Sequence, residues 1–161
     1  MSVSIRRALV SVAVVGGAVL GLLGAAAPAM AADAVTPTIT LDVTVNPKLG
    51  PTIVDGKGLT LYMFTPDRYN VSNCEGPCLN VWPPMMLSSG QTLNNVVLQG
   101  GLRRSKLGVA MRFDGSRQLT YNGWALYWWV QDKVPGDIKG QWVNNIWFTM
   151  TPTGAPNSDR V

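Results

Sequence analysis

Two seven-residue stretches, LYMFTPD at 61–67 and LYWWVQD at 126–132, carry the same order of chemistry: a Tyr, an aromatic residue two on, an Asp three further. A Trp follows each at a matched interval, Trp82 lying 15 residues after Asp67 and Trp147 lying 15 after Asp132. In an extended strand, residues two apart share a face, so Tyr62 and Phe64 go to one side and Leu61 and Met63 to the other. The second copy divides Tyr127 and Trp129 from Leu126 and Trp128 in the same way. Apolar residues on both faces require a strand covered on both sides. One copy alone would leave its aromatic face wet, so the duplication predicts two halves packed face to face and related by a pseudo-two-fold axis. Asp67 and Asp132 fall just past the strand ends, where a carboxylate accepts backbone N–H groups and fixes a turn.

The rest of the chain reads as strands and tight turns. TITLDVTV alternates Ile39, Leu41, Val43 and Val45 with polar residues, and KLGVAMRF alternates Leu107, Val109, Met111 and Phe113. Asp55-Gly56-Lys57-Gly58 joins two strands of TIVDGKGLTLYMF, DGSR turns the chain back into QLTY, and Asn122-Gly123 starts a hairpin whose return strand is WALYWWV. One helical turn fits Cys78 to Trp82, ended by Pro83 and Pro84. The fold class is all-β: a small antiparallel sandwich or barrel-like domain built from two sequence repeats, with at most one short helical turn. The duplicated domain is expected over 39–152, with repeat one at about 50–88, repeat two at about 114–152, and a flexible tail at 153–161.

Residues 1–31 carry Arg6 and Arg7, then an uncharged run from Ala8 to Ala26, then small residues ending in APAMAAD, the pattern of a secretory signal peptide cleaved after Ala31. Residues 32–38 read as a linker. The paired arginines also admit a twin-arginine export route. No Cys sits near the cleavage position, so lipid anchoring is not expected, nor is stable membrane insertion after cleavage. About 130 residues remain, enough for one domain. Loss of the two arginines takes the net charge from +4 to 11 − 9 = +2, too weak for nucleic acid, whose recognition needs clustered Lys and Arg. The local basic group of Arg103, Arg104, Lys106 and Arg112 reads as a solvated loop and strand edge.

Cys74 and Cys78 are the only cysteines, and export places them under oxidising conditions, where a structural bridge is the default. So tight a loop adds on the order of 2 kcal/mol, stapling one loop rather than holding up the fold. A redox role is the alternative, although three residues separate the thiols where oxidoreductases use two.

At GLTLYMFTPD, CEGPCLNVWPP, FDGSRQLTYNGWALYWWVQDKVPGD and GQWVNNIW the chain resembles the bacterial secreted repeats and lipoproteins named for a Y-x-[FWY]-x-x-D motif. Tyr62, Phe64 and Asp67, and Tyr127, Trp129 and Asp132, fit the two motif copies; Cys74, Cys78, Trp82, Pro83 and Pro84 fit the linking C-x-G-x-C-x-x-x-W-P-P. The resemblance spans most of residues 47–152 and implies an extracytoplasmic bacterial protein, secreted or in the cell envelope. It implies no activity.

The chain contains no His, which removes Ser-His-Asp and Cys-His catalysis and the usual zinc, copper and haem ligand sets. Asp67 and Asp132 have the makings of a glycosidase-like carboxylate pair, but equivalent turn positions in a duplicated frame account for them without chemistry. A non-enzymatic module without cofactor is therefore expected, binding a cell-wall glycan or another envelope protein through surface aromatics. Trp124 and Trp142, near hairpin tips, are the candidate ligand surface, while Trp82, Trp129 and Trp147 belong to the repeat frame. The alternative is an extracytoplasmic copper or electron-transfer protein using sulfur, with Met85 and Met86 as candidate ligands.

Overall fold

The computed structural model describes residues 38–160. The signal peptide, its cleavage position and all but the last residue of the linker lie outside the described residues. Strand β1 (Ile39–Asn46) pairs antiparallel with β2 (Gly50–Asp55) and parallel with β5 (Val96–Leu98). Strand β3 (Tyr62–Phe64) pairs with β9 (Trp147–Thr149). A third sheet runs β4 (Met86–Leu87), β7 (Arg117–Tyr121), β6 (Leu107–Met111), with β8 (Trp124–Ala125) also on β7. A single α-helical turn, α1 (Cys78–Val81), is capped by Trp82 just before the two prolines. The fold is all-β, and the sheets form no closed barrel among the described residues.

The two repeats meet at a shared seam. Tyr62 and Tyr127 exchange both backbone hydrogen bonds (2.8 and 3.0 Å), with Thr149 paired to Tyr62 on one side and Pro84 to Tyr127 on the other. The order 149–62–127–84 reads the same after the 65-residue shift that exchanges the repeats, so the pseudo-two-fold axis passes between the two tyrosines. The halves are not identical. Where repeat two supplies Trp147-Phe148-Thr149 to the ladder, repeat one supplies Trp82-Pro83-Pro84, and proline has no N–H to donate. The expected strand through WALYWWV is therefore a regular strand only at Trp124–Ala125, followed by isolated bridges at Tyr127. Ile53 and Leu119 accept equivalent backbone bonds from Leu61 and Leu126, but lie 8 and 7 residues before them, so the first hairpin is one residue longer.

Facial division in the motif strands follows the alternation. Leu61, Met63, Leu126 and Trp128 pack into one apolar cluster with Leu41, Ile53 and Leu119; Tyr62, Phe64, Tyr127 and Trp129 pack into a second with Cys74, Trp82 and Trp147. Asn122 and Gly123 both take positive φ (54° and 85°), closing the two-residue β7–β8 turn.

Three expectations are corrected. Val45 is exposed, and its neighbour Asn46 is buried. Asn46 turns inward because its carbonyl oxygen accepts the N–H groups of Lys48 and Leu49, closing the β1–β2 turn. At the end of β6 the alternation inverts: Met111 and Phe113 face solvent and Arg112 is buried, so it does not belong to a solvated basic edge. The segment 153–160, expected to be a flexible tail, packs on the domain. Met150 bridges Pro156, Asn157 donates its amide to the Leu49 carbonyl at 2.8 Å, and the Arg160 guanidinium sits 4.2 Å over the Trp142 ring. Its polar composition hid this, because the anchoring is by hydrogen bonds rather than by apolar burial.

Candidate functional site

The motif residues converge on the seam by crossing between repeats. The Tyr62 hydroxyl donates to Asp132 Oδ2 at 2.6 Å, and the Tyr127 hydroxyl donates to Asp67 Oδ2 at 2.9 Å. Each Asp uses its other oxygen on its own loop: Asp67 Oδ1 accepts the Asn73 N–H at 2.7 Å, and Asp132 Oδ1 accepts the Lys139 N–H at 3.0 Å. The Tyr-to-Asp spacing of the motif thus works in trans, each repeat supplying the acid for the other's phenol. All four side chains are buried.

Beside these pairs runs a column of four rings. Phe64 stacks on Trp147 (centroids 4.3 Å apart) and Trp147 on Trp82 (3.8 Å, planes 5° apart), while Trp129 lies against Trp82 at a tilt of 31° (4.2 Å). Tyr62 meets Trp82 edge-on at 5.3 Å, and Tyr127 meets Trp147 edge-on at 5.1 Å. The column obeys the same two-fold, with Phe64 equivalent to Trp129 and Trp147 to Trp82. Gly140 completes the packing: its N–H donates to the Tyr62 hydroxyl at 3.2 Å, and a Cβ there would stand 2.8 Å from both the Trp82 and Tyr62 rings. No larger residue fits that approach.

The surroundings of the two pairs differ. At Tyr127, Ser72 Oγ lies 2.7 Å from the phenol oxygen and accepts from the Arg112 guanidinium at 2.7 Å. With the phenol proton committed to Asp67, donation runs Arg112 to Ser72 to Tyr127 to Asp67. Arg112 also donates to Gln118 Oε1 (2.6 Å) and the Cys74 carbonyl (2.7 Å), and pairs with Glu75 at 2.8 Å inside the disulfide loop closed by Cys74 and Cys78. At Tyr62 the corresponding partner is the Gly140 N–H, with Lys139 and Asp137 nearby. Nothing local to Arg112 in the sequence marks it as buried, because Ser72 and the Cys74 carbonyl, which hold it, lie 40 and 38 residues away.

Burial sets the protonation of the site. It raises both phenols above their ordinary value, so Tyr62 and Tyr127 stay neutral donors. It also raises both carboxyls, Asp67 to about 6, against the Asn73 N–H, the Tyr127 hydroxyl and the Arg112 charge that pull it down. Between the ordinary value of 3.8 and about 6, folded Asp67 holds a proton that the unfolded chain has released. This stabilisation is complete below 3.8 and is lost as pH rises through about 6. Wild type should therefore gain urea resistance relative to Asp67→Asn as pH falls across that window, by an amount on the order of 3 kcal/mol. A pH-independent difference between the two proteins would refute it.

The remaining candidates lie elsewhere. Trp142 packs edge-on against Phe148, donates its indole N–H to the Asp159 carbonyl and is covered by Arg160; Trp124 packs half-buried on the first apolar cluster. Met85 is buried in that cluster and Met86 is half-buried. Both methionines line a cavity of about 360 Å³ with Trp128, Asp55, Lys57, Thr38 and Thr40. The Trp128 indole N–H donates to Asp55 Oδ2 at 2.9 Å, which fixes the ring in that wall. The alternation placed Trp128 on the face of Leu126, but nothing nearby in sequence marks its partner, which is 73 residues away. Among the described residues no three Asp, Glu or Cys converge as a metal-holding group, and no helix is long and apolar enough to cross a membrane.

A family model for a secreted repeat of unknown function matches residues 43–86 and again residues 108–151, two spans related by the same 65-residue shift as the tyrosines. No curated protein and no solved structure matches the chain. The two matches cover more than half of the sequence and contain all eight residues of the crossed frame, so the chain belongs to this family of secreted repeats, Lipoprotein_15.

Proposed function

We propose that this secreted repeat protein is a non-enzymatic binding module of the bacterial cell envelope, exported by its N-terminal signal peptide, and that it takes a cell-wall glycan in the cavity at Trp128. The observation that carries this reading is the Trp128 ring, held by Asp55 in a recess of about 360 Å³ among Thr38, Thr40 and Lys57. A fixed aromatic surface ringed by hydroxyl, carboxylate and ammonium groups matches the apolar face and the hydroxyl edge of a sugar. The volume is that of a small-ligand site. Lys57 is exposed and adds attraction for glycans bearing carboxylate or phosphate groups.

Titration of the mature protein with soluble cell-wall glycan fragments, followed by Trp fluorescence and calorimetry, tests this. Binding should be saturable and should weaken about tenfold in Lys57→Ala, the loss of one charge-assisted contact. Binding that ignores both Lys57→Ala and Trp128→Phe would place the ligand elsewhere. A second reading is supported by Met85 and Met86, which both line the same recess, since thioether sulfur is a donor type suited to Cu(I). A Cu(I) titration that saturates in wild type and fails in Met86→Leu would favour it.

A further inference from the structure

The crossed tyrosines and the ring column have a chemistry that ligand binding does not use. Of the four tyrosines, only Tyr62 and Tyr127 donate to carboxylates; buried Tyr121 donates to the Pro152 carbonyl, and Tyr69 is exposed. A phenol is hard to oxidise by one electron unless its proton leaves with the electron, so a carboxylate already accepting the O–H bond is what makes such oxidation accessible. Both tyrosines also touch the column edge-on, through Trp82 and Trp147, whose neighbouring rings are in van der Waals contact. The inner rings are buried; Phe64 and Trp129 at the two ends are half-buried. Trp129 is the more readily oxidised of these end rings. Its indole nitrogen is buried, and among the described residues no group accepts its proton, which disfavours trapping of an electron vacancy there by deprotonation.

We propose that the column and its two tyrosine–carboxylate pairs form a one-electron oxidation site, in which a high-potential one-electron oxidant is reduced at Trp129 and Tyr62 or Tyr127 supplies the electron. The oxidant gains one electron and leaves a tryptophan radical cation in the stack. Tyr62 or Tyr127 refills that ring; its O–H bond breaks and the proton forms a new O–H bond on Asp132 Oδ2 or Asp67 Oδ2. The products are a reduced oxidant, a closed-shell tryptophan, a neutral tyrosyl radical and a neutral carboxyl, and re-reduction returns the proton along the same hydrogen bond. In the extracytoplasmic space this makes the protein a relay or sink for single-electron oxidants.

Acidity gives the site a signature. Asp67 faces Arg112, Glu75 and Tyr127, and Asp132 faces Tyr62, Asp137 and Lys139. Burial leaves Asp67 titrating near 6, ionised and able to accept the proton at neutral pH and already protonated below that value.

The test uses the full mature protein with Tyr69→Phe, a photogenerated ruthenium(III) polypyridyl oxidant, and electron paramagnetic resonance after rapid freezing. A tyrosyl signal should dominate at neutral pH. One pH unit below the Asp67 value, the Tyr127 share should fall to about a tenth, with tryptophan radical taking its place. Asp67→Asn and Asp132→Asn should each shift signal from tyrosyl to tryptophan, and Tyr121→Phe should change nothing. A tyrosyl yield that stays flat down to a pH at which both carboxyls are protonated, or that disappears in Tyr121→Phe, would overturn the proposal. The pH series needs no variant at the seam and so remains decisive if those variants fail to fold.

Discussion

Replacing Arg112 by alanine should cost about 3–5 kcal/mol, the penalty for removing one partner from a buried charged network, and lower the melting temperature by roughly 10 °C or more. The guanidinium is buried and serves Ser72, Gln118, the Cys74 carbonyl and Glu75. Without it the first three keep their burial and lose a donor, and the disulfide loop loses its tie to β6 and β7. Glu75 itself is 45% exposed, so Glu75→Gln should cost less than about 1 kcal/mol. Lysine should not restore stability, since a single ammonium cannot present the fork that reaches these acceptors together. Thermal melts of the three variants provide the check. An Arg112→Ala loss no larger than that of Glu75→Gln would show that the buried hydrogen bonds carry little.

Truncating Trp147 to alanine should cost about 3–5 kcal/mol in urea unfolding. The ring is 2% exposed and is gripped on one face by Trp82, on the other by Phe64, and at its side by Tyr127. Its equivalent, Trp82, should behave alike. Because the two stack directly, the double variant should lose less than the sum of the singles, by about 0.5–1.5 kcal/mol. Additive losses would mean that the inner pair is only two independent buried surfaces. The pair joins one ring from each repeat, so its coupling energy measures the share of that stack in the interface between the halves.

Most of the architecture could be read from local pattern. Period-two alternation assigned faces correctly at Leu61 to Phe64 and Leu126 to Trp129, because every residue there is apolar and a covered strand is the only consistent outcome. Asn122-Gly123 marked its hairpin through a backbone conformation few other pairs accept. Reading failed where a polar residue found a distant partner: Arg112 inverted the alternation of β6, and Asn157 tied down a polar terminus.

The sequence by itself determined the duplication, the 65-residue shift, the all-β class and the place of Asp67 and Asp132 at loop ends, since these follow from residue spacing and strand geometry. Only the tertiary structure decided that each aspartate serves the other repeat's tyrosine, that four rings form one column, and that Arg112 lies inside. The two crossed hydrogen bonds alone join residues 60 and 70 positions apart. A hydrogen bond or a ring stack depends on position in space, and nothing in the local chemistry of either segment says which copy its partner will come from.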